Sequence, residues 1–545
     1  MVIQREIYSN GSIPSQICQN SRKNLNLIGW GSSKKYFVDN KYVAIQCVPR
    51  KEEKLNMAKE EKERIEAQIQ KLTEAGLKSQ KDVLEKAIEF NEREPPMDMI
   101  TSVPIPSLNS IKFHNIVRHS SASCDTQHID LSETPIFTYF DNLKTSFVYI
   151  FALLDTSSVP SDLRNYLPIL LESILELPIE RNGKIIPYEE IVAELNNDTV
   201  SSSTSIGLGG GRGHFKCGNY SQTCVLNLQV EASKYEIGLR WLRELLYKTV
   251  FTTERLKVIA MKMNNTVAQA KRSGRSVVSY AMKGMCYSED SNIVKNGVLQ
   301  QKTLRKIMTN PSNFVLYLAG NLESLKDPVN PINECLPPEL QKIEKQSRLT
   351  PCPDYKLLKS TCPVNGCIIG MGCLESSFFY QTTKSITDTV IQTCQGPMWK
   401  QIRGKGYSYG YTIMIKVNEG LLYLVYSKAT NVIGAYKETK EIITKQLDKR
   451  EWDGTLLESA KSSLIFEIID EEKTIGNVVA LSLASYFQDV DYTHNRTLMD
   501  LINKVTVEDL NRILQRQMKF SLDLKKLDLD LLVYPSLEDS FLNTL

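Results

Sequence analysis

One order of strands and helices occurs twice along this chain, and this repetition constrains the fold more than any other feature of the sequence. Each copy consists of a strand, a helical stretch, two strands, a run of helices and a closing strand. The first copy has, in chain order, strand 146–154, helix 161–174, helix 189–195, strands 200–208 and 215–232, helices 235–250, 253–271 and 276–285, and strand 313–319. The second copy has strand 366–373, helix 385–402, strands 409–417 and 421–426, helices 434–447, 455–470, 475–487 and 507–517, and strand 527–533.

The repeated order predicts an α+β fold built from two similar α/β sandwich modules. Strands joined by hairpins and helices grouped in runs are typical of a mostly antiparallel sheet with helices on one face. The 545 residues also exceed the roughly 250–300 residues at which a single core stops growing. We place the first complete module at 136–340 and the second at 355–545, with a break between them that is rich in proline and lysine.

The residues before these modules have a different character. Segment 51–95 is highly charged, and its apolar residues recur at helical spacing on both sides of Gly76, which predicts a charged helical hairpin that connects two domains. Its charge run is typical of a solvated helix face. Prolines then mark 96–135 as a linker. The strand-like run Tyr42–Val48 predicts that residues 1–50 are the tail of an incomplete preceding α/β module.

Composition narrows the class of protein. The chain has 66 basic and 63 acidic residues with a formal net charge of +3, so we expect no nucleic-acid partner. No apolar run reaches the roughly 18 residues that a membrane span needs. Twelve cysteines without a CxxC pair predict buried free thiols in a reducing compartment, and therefore the cytoplasm or the mitochondrial matrix. The alternative is a metal site at Cys362, Cys367 and Cys373, although their spacing matches no usual zinc pattern.

The common catalytic motifs that we looked for are absent from this sequence or incomplete in it. The five histidines form neither His-Glu-x-x-His nor His-x-x-Glu-His, the helical patterns that bind zinc. His114 and His119 lie in the predicted linker, where we expect surface positions. The glycine-rich run 207–213 lacks the Lys-Ser/Thr of a phosphate-binding loop, so a flexible hairpin is the better interpretation of it than a phosphate cradle.

The most informative stretch joins a predicted helix to a predicted strand. Helical sequence ends at Arg403, Gly404 and Gly406 interrupt it, and Tyr409 begins a strand. A guanidinium and a phenol at such a turn can converge on a carbonyl oxygen. The alternative is structural: an arginine that is favourable at a helix C-terminus, followed by a half-buried tyrosine.

This stretch, Met398–Gly410, resembles the C-terminal half of the pitrilysin and insulin-degrading-enzyme (insulinase) family of zinc metallopeptidases. Together with strand 366–374, the sequence Phe147–Ser158 and the charged segment 51–94, it is most similar to the presequence-protease-like branch. The resemblance extends from about residue 36 to 535 and implies related α/β modules in two halves around a chamber. It also implies that Arg403 and Tyr409 contact the substrate at the scissile bond.

The chain departs from that family at one point that decides the chemistry. It resembles a metalloendopeptidase but has no His-x-x-Glu-His, so the resemblance implies no cofactor in this chain and a zinc in a missing N-terminal half. We therefore expect a non-catalytic, substrate-binding C-terminal half, a fragment of a longer enzyme. Its partners would be the catalytic half, in the same or another chain, and unstructured peptide substrates. The alternative is a structural or assembly protein of the same fold without peptidase activity.

Overall fold

The computed structural model forms two compact units, Met1–Ser110 and Ile111–Leu545, which are described separately below. The residues that the structure describes are 34–39, 51–91, 93, 96–100, 102, 107–122, 129–208, 220–272, 287–288, 291–292, 310–343, 398–416, 421–450, 452, 454–488 and 490–513.

Most of the described residues of the first unit belong to helix α1, Lys51–Asn91. It consists of two helices that meet at Thr73. A short helix, α2 (Met97–Ile100), follows it. The predicted pair of charged helices is present, but the interruption lies at Thr73, with φ 59° and ψ 169°, and not at Gly76. The reason is a cap: the Thr73 Oγ1 accepts a hydrogen bond from the Gly76 backbone N–H at 3.4 Å, which places Gly76 inside the first turn of the second helix.

A six-stranded sheet forms the centre of the second unit. Its strands are β1 (Val117–Ser120), β2 (Phe137–Asn142), β3 (Phe147–Asp155), β6 (Ser201–Ile206), β7 (Thr223–Glu231) and β8 (Phe314–Gly320), and two short strands form a separate hairpin, β4 (Ile179–Arg181) and β5 (Lys184–Ile186). The order in the sheet is β1-β2-β8-β3-β7-β6, and among these described strands only the β2–β8 pair is parallel. The predicted α+β class with a mostly antiparallel sheet is therefore confirmed.

Helices pack on one face of this sheet. They are α3 (Leu167–Ile174), α4 (Tyr188–Asp198), α5 (Tyr235–Arg243), α6 (Thr253–Arg272) and α7 (Asn330–Asn333). The core between sheet and helices includes Phe140, Ile150, Leu228, Trp241 and Leu318, all fully buried. Burial of such side chains, at about 1.5–3 kcal/mol each, is what holds these helices on the sheet.

Gly238 allows α5 to approach the sheet closely. A Cβ at this position would lie 2.7 Å from Ile150 Cδ1 and 3.1 Å from both methyl carbons of Val230. We expect Gly238→Ala to lower the free energy of unfolding by about 1–3 kcal/mol, because neither fully buried neighbour has room to move. Chemical denaturation would measure this. Gly454→Ala is the matched control, since a Cβ there has no heavy atom within 4 Å, and equal stability of the two variants would contradict close packing at Gly238.

The rest of the second unit comes from the region predicted as the second module. It contains the antiparallel hairpin β9 (Ser408–Lys416) and β10 (Leu421–Ala429), and the helices α8 (Val432–Lys449), α9 (Gly454–Glu471), α10 (Ile475–Gln488), α11 (His494–Asn503) and α12 (Val507–Ile513). Helix α11 was not predicted. The predicted strands 42–48, 366–373 and 527–533 lie outside the described residues, and the division into two modules stays a prediction.

Helix α10 covers the second face of the central sheet. Its Val479, Leu483 and Phe487 are buried against Tyr149 and Tyr317 of the sheet. All seven residues of β8 are buried, as expected for a strand covered on both faces. The C-terminal helices thus complete the core that the first predicted module begins.

A buried polar cluster, the Asp141 network of Arg118, Asp141, Tyr317 and Ser482, joins the sheet to α10. The Arg118 Nε donates to Asp141 Oδ1 at 2.8 Å, and the Tyr317 hydroxyl donates to Asp141 Oδ2 at 2.5 Å. The Ser482 hydroxyl also donates to Asp141, and the Arg118 guanidinium donates to the Ser482 carbonyl oxygen at 3.0 Å. Every oxygen of the fully buried carboxylate therefore has a donor, which is what a buried charge requires.

The structure contradicts the predicted surface position of His119 and confirms that of His114. His119 was predicted at the surface of a linker, but it lies in β1 opposite Phe140 and is only 5% exposed. That prediction is wrong because residues 117–120 extend the sheet as an edge strand. His114 is exposed, as predicted.

Two of the cysteines lie in described segments. Cys224 and Cys335 are both buried and free, and burial raises the pKa of each thiol. They match the expected buried thiols, and the reducing compartment stays a prediction. No helix in the described ranges is long and apolar enough to cross a membrane.

Candidate functional site

The candidate site begins on one turn of π-helix, Trp399–Arg403. Met398 and Ile402, four residues apart, are fully buried in a core that includes Ala435 of α8. Trp399 and Arg403, also four residues apart, are exposed. The buried pair fixes the turn to the core, and the same spacing therefore puts the indole and the guanidinium side by side on the outer surface.

Backbone hydrogen bonds fix the path from this turn into β9. The Gly404 N–H donates to the Trp399 carbonyl at 3.0 Å, and the Tyr407 N–H donates to the Ile402 carbonyl at 2.9 Å. Gly406 has φ 73°, a conformation that glycine adopts without strain. The Thr430 N–H donates to the Tyr407 carbonyl at 3.0 Å, which attaches the loop to the end of β10.

A close contact, and not the backbone conformation, favours glycine at position 404. Its φ of −61° and ψ of −38° are ordinary helical values. A Cβ at this position would lie 2.3 Å from the carbonyl oxygen of Lys400. We expect Gly404→Ala to destabilise the second unit by about 1–3 kcal/mol, because the turn must open to admit the methyl group. Thermal unfolding measured beside Gly454→Ala would test it, and unchanged stability would mean that the turn is looser than described.

The turn brings the two residues singled out in the sequence into contact. The guanidinium carbon of Arg403 lies 4.5 Å from the ring centroid of Tyr409 and 5.9 Å from that of Trp399. Both distances are within the range of a cation–π interaction. Tyr409 is 61% exposed and Trp399 55%, so Tyr409 is not the half-buried packing residue of the structural alternative. Trp399, Arg403 and Tyr409 are called the Arg403 cluster below.

An ion pair and a packed tyrosine lie beside the Arg403 cluster. Lys405 donates a 2.7 Å hydrogen bond to Glu438 of α8, and this bond raises the pKa of Lys405. Tyr411, two residues along β9 from Tyr409, contacts the core beneath. Burial raises the pKa of Tyr411, and the nearby charge of Arg403 partly opposes that rise. A guanidinium beside an exposed phenol places N–H and O–H donors where an incoming oxygen atom could accept from them.

Trp399 was not predicted as a member of this site. The available signal was its position four residues before Arg403 on a predicted helix, which places both on one face. No group of three or more His, Cys, Asp and Glu residues that could hold a metal ion occurs within the described segments. Cys362, Cys367 and Cys373 lie outside those segments, as does most of the glycine-rich run.

The chain is similar to a known protein family and to several known proteins. Residues 48–307 match the family model of the region associated with peptidase M16, subfamily C. An uncharacterised protein of Caenorhabditis elegans is 24% identical over 507 residues, which covers 86% of this chain and 50% of the relative. An uncharacterised protein of Schizosaccharomyces pombe is 26% identical over 459 residues, which covers 75% of this chain and 44% of the relative. The chain thus spans about half the length of these relatives.

Among solved structures, a protease from Helicobacter pylori has a similar fold. It superimposes with a TM-score of 0.50 at 12% sequence identity, and the match covers 75% of this chain and 98% of that protein. Residues 48–307 are therefore similar to the region associated with subfamily C of the M16 peptidases, which bears out the predicted resemblance to the C-terminal half of a pitrilysin-family peptidase. The chain shares its fold with the Helicobacter pylori protease.

Proposed function

We propose that this chain is the substrate-binding C-terminal half of a pitrilysin-type zinc metallopeptidase that degrades unstructured peptides. The observation that carries the proposal is the Arg403 cluster, in which a guanidinium lies 4.5 Å from the centroid of an exposed phenol ring. The catalytic zinc would be bound by a His-x-x-Glu-His motif in an N-terminal half. The length of the relatives, about twice the matched region, supports such a half.

In this proposal Arg403 and Tyr409 act on the carbonyl of the scissile peptide bond. Its oxygen gains negative charge when a nucleophile adds to the carbon, so donors aimed at that oxygen stabilise the transition state more than the ground state. The guanidinium offers five N–H donors and the phenol offers one O–H donor. In the proposed role both groups act as hydrogen-bond donors to the carbonyl oxygen.

The zinc itself does not fit the residues seen here. Zinc sites in proteins use three or four His, Cys, Asp or Glu ligands, and the described part of the chain offers no such group. We assign no step of the reaction to a metal bound by this chain. Its contribution is to bind the peptide and to stabilise charge at the carbonyl oxygen.

Metal analysis and a peptidase assay test whether zinc is bound by the N-terminal half and not by this chain. We expect the purified, tag-free chain to bind no stoichiometric zinc and to cleave no unstructured peptide, because its sequence has no His-x-x-Glu-His motif to hold a zinc and activate a water. Mixed with or fused to its N-terminal half, it should give cleavage that a chelator abolishes. One tightly bound zinc per isolated chain would contradict the first expectation and would favour Cys362, Cys367 and Cys373. Chelator-sensitive cleavage by the isolated chain would contradict the second.

A further inference from the structure

We infer that Thr430 is a positioning residue of the Arg403 cluster, whose hydroxyl holds the turn that sets where Arg403 and Tyr409 lie relative to each other. This inference rests on the proposed function, because their relative position matters only if both side chains act on one carbonyl oxygen. Thr430 acts through the backbone of the turn and not by contact with the substrate.

The turn between Arg403 and Tyr409 is rich in glycine. Two of the five residues that separate them are glycines, Gly404 and Gly406. Glycine populates a wider range of backbone angles than any other residue, and Gly406 has a φ of 73°. Rotation of the peptide plane that follows Gly406 would redirect the strand that carries Tyr409. A constant arrangement of guanidinium and phenol therefore requires a group outside the turn that holds this peptide plane.

Thr430, the first residue after β10, supplies such a group. Its Oγ1 donates a hydrogen bond to the Gly406 carbonyl oxygen at 2.6 Å and lies 3.3 Å from the Tyr407 carbonyl oxygen. The Tyr407 carbonyl also accepts from the backbone N–H groups of Thr430 and Asn431, at 3.0 and 3.1 Å. The separate contribution of the hydroxyl is therefore at the Gly406 carbonyl, which belongs to the peptide plane that must be held.

The position of Thr430 is itself fixed by the start of a helix. Asn431, the next residue, caps α8, and its side chain accepts a hydrogen bond from the Gly434 N–H at 2.8 Å. Lys405 connects the turn to the same helix through Glu438. A lysine has a flexible four-carbon stem between its charge and its backbone, so that ion pair does not fix the angle of a peptide plane. The short bond from the Thr430 hydroxyl does.

The size of the expected effect follows from what the transition state requires. Hydrogen-bond donors stabilise a developing oxyanion only from defined positions, and a misplacement of about 1 Å can cost on the order of 100-fold in rate. Thr430 is exposed, so water can replace its hydroxyl at the Gly406 carbonyl for part of the time. We therefore expect a smaller loss than that caused by removal of Arg403 itself.

The test compares Thr430→Val, which removes the hydroxyl and keeps the branched shape, with Thr430→Ser, which keeps the hydroxyl. In the full-length protein, Thr430→Val should lower kcat on an unstructured peptide roughly 3–10-fold with KM nearly unchanged, and Thr430→Ser should keep most of it. Thr266→Val is the matched control. The exposed Thr266 hydroxyl also donates to a backbone carbonyl at 2.6 Å, but within α6, so its loss should leave kcat unchanged.

Hydrogen exchange of the same variants supplies a readout that does not depend on activity. The Gly406 N–H donates to the Arg403 carbonyl at 3.0 Å, and the Tyr407 N–H donates to the Ile402 carbonyl at 2.9 Å. Thr430→Val should speed exchange of these two amides, because the turn that they close opens more often. Thr430→Ser and Thr266→Val should leave them as in the unmodified protein. Unchanged exchange in Thr430→Val would contradict the inference.

The alternative outcomes separate this inference from the proposed function. If Thr430→Val keeps a normal kcat while Arg403→Ala lowers it, the inference is overturned and the proposed function stands. The inference is also overturned if Thr430→Ser loses as much kcat as Thr430→Val, or if kcat falls only in parallel with the unfolding temperature, since the role is then structural. If Arg403→Ala leaves kcat unchanged, the proposed function fails and takes this inference with it.

Discussion

Arg403→Ala is expected, under the proposed function, to lower the turnover of the full-length protein at least tenfold, and by up to the roughly 100–1000-fold typical of losing one donor to a developing oxyanion. The guanidinium is exposed and supported by two rings, so its removal takes away a donor without emptying the core. Tyr409→Phe should reduce turnover in the same direction, because it removes the hydroxyl and keeps the ring. The measurement is kcat on an unstructured peptide, beside thermal unfolding of each variant.

Lys400→Ala is the matched control for these variants. Lys400 is an exposed cation on the same π-helical turn, but it does not stack with Tyr409 in the way that Arg403 does. It should keep normal turnover. Normal turnover in Arg403→Ala and Tyr409→Phe, together with lower thermal stability, would show that both residues are structural.

Arg118→Met is expected to lower the free energy of unfolding of the second unit by about 3–5 kcal/mol, the cost of leaving a buried charge without its partner. The side chain of Asp141 is fully buried and that of Arg118 is 22% exposed, so water cannot replace the guanidinium fully. Burial lowers the pKa of Arg118, but the hydrogen bond and charge of Asp141 outweigh that effect and raise it. Denaturant unfolding would measure the loss.

Two variants make this second prediction specific. The double variant Arg118→Met with Asp141→Leu should recover part of the loss, because no unpaired charge remains. Arg512→Met removes an exposed cation that pairs with Asp509 within one helix, and it should have little effect. An Arg118→Met protein as stable as Arg512→Met would refute the role of the Asp141 network.

The same network predicts how stability depends on alkaline pH. Burial, followed by the charge of Asp141, raises the pKa of the Tyr317 hydroxyl well above its usual value. The folded state therefore holds this proton more tightly than the unfolded state. The contribution to stability is complete below the ordinary tyrosine pKa of about 10 and declines as the pH rises above it.

Much of the fold was predictable from local patterns, while the site was predictable only in part. Continuous apolar runs identified β3 and β8, and two glycines identified the turn after Arg403. The pairing of Arg403 with Tyr409 followed from their places around that turn. The exposed position of Trp399 beside Arg403 did not, because a tryptophan on a helix is more often buried than exposed.

Long-range packing explains what the sequence left unpredicted. His119 is buried because residues 117–120 pair with β2. No local pattern in this proline-containing region predicts an edge strand. Ser482 and Val479 join the sheet through partners more than 150 residues earlier in the chain. Such contacts depend on how α10 lies against the sheet, which periodicity along one helix does not specify.

The position of β8 has a consequence for biosynthesis. β8 lies between β2 and β3, although those two strands are neighbours in sequence and β8 follows them by more than 150 residues. A ribosome that adds roughly 5–20 residues per second makes β8 on the order of ten seconds or more after β3. During that interval the facing edges of β2 and β3 have no partner strand, and they are available to other nascent chains or to a chaperone. The central sheet of the second unit therefore cannot be completed before residues 314–320 are translated, however fast the helices form.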